Sequence, residues 1–270
     1  MRVVLLIRPD IFHSLGLQNQ NNKIRDNSVL LDWRTNYPEY KDSSLFAMAD
    51  KLLSAQQKEK LELGQAWRYY FPYEAVNHRT GKRLDSPFIT FLRFSLFRPR
   101  DIISMLKILQ ENFKQQKRGQ EELFRESDFD AAIFRRKYSE YLLGEVKDHL
   151  SFYHSASDYE LFLKFFEYLK GRPRFTYGEY IFAYNCIITY LERNEIKKPK
   201  FFEAPDIFLQ FLYDANVICY VEDTDEEPYI SWCFRDRSYS NIYPKVKSGL
   251  RYEVHYGLGK SLNLGKSFIR

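Results

Sequence analysis

The chain has few cysteines and no long apolar run. Among its 270 residues are three cysteines, Cys186, Cys219 and Cys233. Their number is odd and their spacing is not that of metal ligands, so a reduced cytoplasmic environment fits best. The only strongly apolar run near the N-terminus, residues 3–7, is too short for a membrane span and lacks a signal-peptide cleavage region. The sequence therefore predicts a soluble cytoplasmic protein with no membrane partner.

The chain also lacks a phosphate-binding loop. Residues 257–261 and 265–267 both end in Gly-Lys-Ser, but the glycine that a Walker A motif needs five residues before its Gly-Lys pair is replaced by Val254 and Lys260. No nucleophile-elbow motif is present, and the five histidines lie far apart in sequence. We therefore expect no enzymatic activity from the chain alone, and no metal or cofactor of its own.

Apolar and aromatic residues, in contrast, are abundant. Apolar residues make up 44% of the chain and aromatic residues 17%, with 21 tyrosines and 23 phenylalanines. This is ample material for a buried core in one large or two modest domains. The net charge of +5 permits an anionic partner without requiring one.

The N-terminal segment has the pattern of a strand buried on both faces. Residues 2–8 are a continuous run of branched apolar residues between two arginines, which is typical of a parallel sheet. Such a strand needs parallel neighbours, so we expect them to come from another chain or from a missing part of a larger α/β unit. The alternative is that residues 29–33 pair with it in a small local sheet.

A helix is predicted to start at Pro99. Proline suits the first helical turn, and Asp101 lies where the helix dipole favours an anion. Apolar residues then recur on one face, at Ile102, Met105, Leu106, Leu109 and Phe113. Arg98 and Arg100 are thereby placed at a helix N-terminus, where they would suit phosphate oxygens. The alternative is that Arg98 pairs with a nearby carboxylate.

Most of the remaining chain also has helical periodicity. We expect helices over residues 44–63 with Gly64 as the stop, from residue 86 towards Arg98, from residue 127 onward, and over 158–170, 176–193 and 204–215. Residues 115–125 are polar and are the best linker candidate. Residues 217–221 and 229–234 predict a hairpin across an acidic turn, and residues 251–256 a further strand.

These patterns predict a mainly α (α+β) fold. Its parts would be an N-terminal strand fragment of an α/β sheet within residues 1–40, a helical part over residues 41–120, and a C-terminal winged helix-turn-helix within residues 121–270.

Several segments resemble bacterial P-loop ATPases of the broad AAA+/STAND group. Residues 98–101, Arg-Pro-Arg-Asp, resemble the start of their lid helix, and residues 6–12 with 31–33 resemble a late core strand and its Leu-Asp-Trp segment. Their C-terminal winged helix is resembled by residues 212–218, 232–238, 244–246 and 255–258. Together these segments span most of the chain, but the Walker A and Walker B segments of the family are missing.

The resemblance implies that residues 1–40 are the remnant of an α/β nucleotide-binding core, residues 41–120 a helical lid, and residues 121–270 the helical and winged-helix domain. The chain would then be a regulatory or interaction portion of an ATPase, or a truncated ATPase. Arg8, Arg98, Pro99 and Arg100 would then sense a nucleotide, provided that a P-loop half completes the site. ATP and Mg²⁺ would be bound only in that completed form. The implied partner is a P-loop ATPase half, or a second copy associating through the N-terminal strand.

The C-terminal tail is basic. Residues 235–270 carry eight cations against Asp236 and Glu253, a net charge of +6, with tyrosines among them. The candidate contact residues for nucleic acid or a partner are Arg235, Arg237, Lys245, Lys247 and Arg251. The predicted recognition helix is apolar and its charges are acidic, which favours a protein partner. A stand-alone winged-helix DNA-binding protein is the alternative function.

Overall fold

The computed structural model describes residues 31–76, 83–84, 86–115, 123–151, 154–225, 228–238 and 241–265. It also describes residues 4–5, 7, 11–12, 15–19, 22 and 26–29. Within these ranges the protein is mainly helical, with one four-stranded antiparallel sheet and one two-stranded ladder. The coarse prediction of a mainly helical α+β protein is confirmed.

The first two helices meet at a buried carboxylate. Helix α1, Ser44–Ser54, begins where the Ser43 hydroxyl accepts a hydrogen bond from the Phe46 amide, at 3.1 Å, as predicted. Helix α2 is Gln65–Tyr70. The buried Asp50 side chain accepts hydrogen bonds from the amides of Gly64 and Trp67, at 2.8 and 2.7 Å.

The predicted helix over residues 44–63 is therefore wrong in its second half. The helix ends at Ser54, and Gly64 begins α2 instead of stopping α1. Gly64 has a φ of 88°, which an L side chain rarely adopts, and its amide is held by Asp50. Whether Gly64 ends one helix or begins the next is therefore decided by its hydrogen bond to Asp50, 14 positions earlier in the sequence.

Helices α3, Phe88–Phe94, and α4, Pro99–Gln115, carry the predicted lid. Ile102, Met105, Leu106 and Leu109 are buried and Phe113 is partly buried, so the predicted apolar face is confirmed. Rings of α1, α2 and α3 pack on one another; the Trp67 ring lies 4.6 Å from Phe71 and 4.9 Å from Phe88. The two-stranded ladder between α2 and α3 is β1, Ala75–Val76, with β2, Arg83–Leu84.

Five further α-helices are described between Phe124 and strand β4. They are α5 (Glu126–Asp130), α6 (Ala132–Ser151), α7 (Ala156–Tyr168), α8 (Tyr177–Arg193) and α9 (Pro205–Asp214). Ser155 and Thr176 cap α7 and α8 with capping boxes. The predicted helices over 158–170, 176–193 and 204–215 are thus confirmed to within two residues.

The sheet has the strand order β3-β6-β4-β5, with all neighbours antiparallel. Its strands are β3 (Arg174–Thr176), β4 (Ile218–Glu222), β5 (Tyr229–Ser231) and β6 (Arg251–Val254), and the short helix α10 (Cys233–Asp236) follows β5. The predicted hairpin β4–β5 and the additional strand are confirmed. Strand β3 escaped prediction because only its middle residue, Phe175, is buried.

One buried cluster extends from Tyr40 to Leu264, across the predicted domain boundary at residue 120. The C-terminal 3-10 turn, Tyr256–Leu258, packs on α6 so closely that a Cβ on Gly257 would lie 2.2 Å from a methyl carbon of Leu142. The division into three domains stays a prediction. Residues 116–122 of the predicted linker lie outside the described residues.

The N-terminal prediction is not supported by the residues described there. Val4, Leu5 and Ile7 are exposed and belong to no strand, and Val29 and residues 31–33 belong to none either. Without a neighbouring strand among the described residues, neither the parallel strand nor its local alternative is formed there. Among the described helices, none has the length and apolarity needed to traverse a bilayer.

Candidate functional site

A cleft of about 410 Å³ lies between the start of α4 and the C-terminal half of the chain. Its wall combines the start of α4, the middle of α6, the end of α9, residues 31–34, and the chain after β5 and β6. Three of the residues predicted for function line it: Arg98, Arg100 and Arg237. The cleft therefore brings two of the predicted nucleotide-sensing arginines, Arg98 and Arg100, and part of the predicted contact surface to one place.

The start of α4 is fixed by the buried carboxylate of Asp101. Its side chain is fully shielded from solvent. It accepts hydrogen bonds from the Leu96 amide at 2.8 Å, from Arg98 Nη2 and Nε at 2.7 and 3.0 Å, and from the Tyr141 hydroxyl at 3.0 Å. Four donors thus satisfy a carboxylate that would otherwise be costly to bury. This arrangement ties the turn before α4 to α6.

Glu145 of α6 joins the two arginines. One of its oxygens, Oε2, accepts a hydrogen bond from Arg98 Nη1 and another from Arg100 Nη1, each at 3.0 Å. Arg98 is therefore held by two carboxylates, as the ion-pair alternative predicted, whereas the Arg100 side chain is 63% exposed. Arg100 is the arginine with free surface for an anion.

Pro99 lies between these arginines and begins α4, as predicted. Arg8 lies outside the described residues, so its relation to the pair stays a prediction.

Residues 32–34 connect the N-terminal part of the cleft to its C-terminal side. Arg34 Nε lies 2.9 Å from both oxygens of Asp32, and Arg34 Nη1 donates to the carbonyl of Arg237 at 2.9 Å. The hydrogen bonds from Arg34 lower the pKa of the Asp32 carboxyl, so it stays ionised and paired. Asp32 is held as an acceptor in this arrangement.

An acid at the end of α9 and a buried thiol at the start of α10 lie next to Arg237. Arg237 Nη2 lies 3.4 Å from Cys233 Sγ, and that sulfur lies 3.8 Å from Asp214 Oδ1. Burial raises the pKa of the Cys233 thiol to about 12 and also raises the pKa of Asp214. Cys233 is therefore protonated at neutral pH and is not a nucleophile.

The other predicted contact residues do not form one basic face. Lys247 is paired with Glu222 and Arg251 with Asp223, so two cations are neutralised at the end of β4. Arg235 lies over the rings of Tyr37 and Phe97, at 5.7 and 5.9 Å. Lys245 is exposed.

Sequence reasoning missed Arg34 and His255 and assigned no role in the cleft to Glu145. Glu145 shares a face of α6 with Tyr141, and this i, i+4 spacing is the one signal that could have linked it to the start of α4. Within the ranges that the structure describes, no group of three or more His, Cys, Asp or Glu residues could hold a metal ion.

No protein-family model, curated protein or solved structure matches this chain.

His255 lies against the floor of the cleft as a neutral ring. Its Nδ1 accepts a hydrogen bond from the Gly257 amide at 3.2 Å, so its Nε2 carries the proton and faces the Ser95 carbonyl oxygen at 3.3 Å. Burial is the largest influence and lowers its pKa to about 4, although the Ser95 carbonyl and Asp101 act in the opposite direction. The ring joins the turn after α3 to the end of β6.

We expect His255 to make folding sensitive to pH between about 4 and 6.5. Below the unfolded pKa of 6.5, the unfolded chain binds a proton that the folded ring does not, so stability falls as the pH is lowered. The loss approaches about 3 kcal/mol near pH 4. Urea unfolding of the parent chain and of His255→Gln at pH 7 and pH 4 should give a smaller pH dependence for the variant. Parallel profiles would contradict this assignment.

Proposed function

We propose that this chain is a non-catalytic regulatory and interaction portion of a P-loop ATPase. In this proposal residues 41–120, with helices α1 to α4, form the lid that carries Arg98, Pro99 and Arg100, and residues 121–270 contain the winged helix, which contacts protein. ATP and Mg²⁺ would enter only with a P-loop half. The resemblance at residues 98–101 and at the C-terminal segments motivates the proposal.

The order of elements in the C-terminal part favours a winged helix. Helix α7, strand β3, helices α8 and α9, and strands β4 and β6 follow one another, with β6 between β3 and β4 in the sheet. Three helices with a three-stranded antiparallel sheet in this order are typical of winged helices. The wing would be the long connection between β4 and β6, which contains β5 and α10.

We choose a protein over DNA as the partner because two cations of the basic tail are neutralised by acidic residues. Glu222 and Asp223 pair with Lys247 and Arg251 across β4 and β6. Over residues 217–265 the sequence has six Lys and Arg residues against seven Asp and Glu residues, so the net charge is −1. A protein surface that binds the phosphate backbone of DNA needs unpaired cations, and this region has few of them.

The composition of helix α9, which would be the recognition helix, also favours a protein partner. It contains no Lys or Arg, and its most exposed positions are Asp206 and Ile207. Gln210, the polar residue in its middle, bonds to the Pro244 carbonyl and the Val246 amide of the same domain. An acidic and apolar helix surface suits protein contact better than a DNA groove.

The described N-terminal apolar residues favour a docking role for that segment. Exposed fractions are 86% for Val4, 77% for Leu5, 88% for Val29 and 67% for Leu31, while the buried core begins at Tyr40. Apolar side chains concentrated outside the core mark an interaction surface. The partner would be the P-loop half, or a second copy when that half is absent.

Removal of this apolar surface should abolish self-association of the isolated chain. The variant Val4→Ser/Leu5→Ser/Ile7→Ser alters exposed positions only, so its fold and thermal stability should be unchanged. We expect light scattering to give a concentration-dependent mass for the parent chain and a monomer for the variant. A parent chain that is monomeric at all concentrations, or a variant that associates as strongly as the parent chain, would contradict a docking role for the N-terminal segment.

DNA binding is the second candidate function, because Lys245 and Tyr243 are exposed on the wing connection. If four phosphates were contacted, log affinity would fall against log salt with a slope of roughly −3.6. We expect no such complex with random duplex DNA at physiological salt in fluorescence anisotropy. A tight, salt-dependent complex that is lost in Lys245→Glu/Lys247→Glu would reverse the ranking of the two functions.

A further inference from the structure

A second surface, beside the buried face of α4, is a wide groove with an apolar floor. It lies between the end of α1, the chain before α2, α2 itself and α4, and its volume is about 1220 Å³. This exceeds the roughly 300–1,000 Å³ of small-molecule sites, so its size suits a segment of protein. We call it the α1–α4 groove.

The floor of the α1–α4 groove is apolar and combines aliphatic with aromatic side chains. Leu52 and Leu53 of α1 and Ile103 and Leu106 of α4 line it, together with Tyr69, Tyr70, Phe113 and Phe124. Leu52 is 41% exposed, and Tyr69 on the α2 side is 43% exposed. A concave apolar surface of this kind can receive the apolar face of an amphipathic helix.

The rim of the groove is basic. Among the described residues that line it are Lys58, Lys107 and Lys114 and a single acid, Glu59, so these residues carry a net charge of +2. Within the described part of the chain these lysines form no ion pair, in contrast to Lys137, which pairs with Glu111 on α4. Unpaired cations around an apolar floor are complementary to an apolar stripe flanked by acidic residues.

The side chain of Phe124 fills one end of the groove, in the way that an apolar side chain of a bound partner would fill the rest. Phe124 enters it from the segment before α5, stacks on Phe71 with ring centroids 5.0 Å apart, and meets Phe113 edge-on at 5.6 Å. The Phe124 amide donates to the carbonyl of Tyr70 at 2.9 Å. An apolar side chain inserted from a neighbouring segment is therefore accommodated between α2 and α4.

We propose that the α1–α4 groove is a docking site for an acidic amphipathic helix of a partner protein. The partner's apolar residues, at i, i+3, i+4 and i+7, would lie on Leu52, Ile103 and Leu106, and its flanking carboxylates would meet Lys58, Lys107 and Lys114. This site needs neither a P-loop half nor the N-terminal segment, so it does not depend on the proposed function.

The test uses a fluorescein-labelled synthetic helix of about 15 residues. It carries leucine at positions i, i+3, i+4 and i+7 and at their continuation along the same face, with glutamate at the flanking positions. A twin peptide carries lysine in place of each glutamate. We expect the full chain to bind the acidic peptide in a salt-dependent manner and to leave the basic twin unbound. Absence of binding to the acidic peptide, or equal binding of both peptides, would overturn the proposal.

Two pairs of variants locate the site. Lys58→Glu/Lys107→Glu should weaken binding roughly tenfold, mainly through slower association, whereas the matched reversal Lys197→Glu/Lys200→Glu at exposed positions outside the groove should not. Leu52→Asp should weaken binding similarly, whereas Ile207→Asp, at a position 46% exposed on α9, should leave it unchanged. Equal losses in the control variants would contradict the site.

Two competitors decide whether the groove recognises another macromolecule. A single-stranded oligonucleotide and vesicles of anionic lipid present negative charge without an apolar helical stripe. We expect neither to displace the acidic peptide at physiological salt. Binding of either to the parent chain that is lost in both Leu52→Asp and Lys58→Glu/Lys107→Glu would overturn the proposal in favour of that ligand.

Discussion

The carboxylate of Asp101 is buried, and the start of α4 depends on its four hydrogen bonds. Removal of one partner from a buried charge pair lowers the free energy of unfolding by about 3–5 kcal/mol. The Asp101 carboxylate therefore strongly restrains the groups that donate to it. It restrains the turn at Leu96, the side chain of Arg98 and the face of α6 that carries Tyr141. Helices α3 and α4 and the C-terminal half are therefore joined at a polar centre inside a largely apolar interface.

This constraint shapes the candidate site. Because Asp101 and Glu145 both hold Arg98, that arginine orients the junction, and Arg100 at its edge keeps an exposed guanidinium. His255 closes the other side as a neutral ring between the Ser95 carbonyl and the Gly257 amide. An anion that entered the cleft would meet Arg100 first, and it would have to compete with Glu145 for that side chain. A P-loop half would supply such an anion in a fixed position, which is why the nucleotide-sensing proposal is conditional on it.

Local sequence signals predicted most of the helices well. The role of Gly64 and the partners of the charged side chains were not predicted, because they depend on contacts between residues far apart in sequence. Pro99 and the stripe at Ile102, Met105, Leu106 and Leu109 identify α4 from neighbouring residues alone. Gly64 was misassigned because a glycine can end one helix or begin the next, and the choice lies with Asp50, 14 positions away. The pairing of Arg98 with Glu145 joins residues 47 positions apart, and the pairing of Lys247 with Glu222 crosses the sheet. Charge counting over residues 235–270 alone made the tail strongly basic, since it left out the acidic strand connection that neutralises it.

The most direct test of the Asp101 junction is hydrogen exchange of the parent chain and of Asp101→Ala, followed by mass spectrometry. If the junction couples the two halves, the amides of α1 and α2 and those of β4 and β6 should lose protection together in the variant, by a similar free energy. Faster exchange confined to the first turns of α4, with both the α1–α2 pair and the sheet as protected as in the parent chain, would contradict this account.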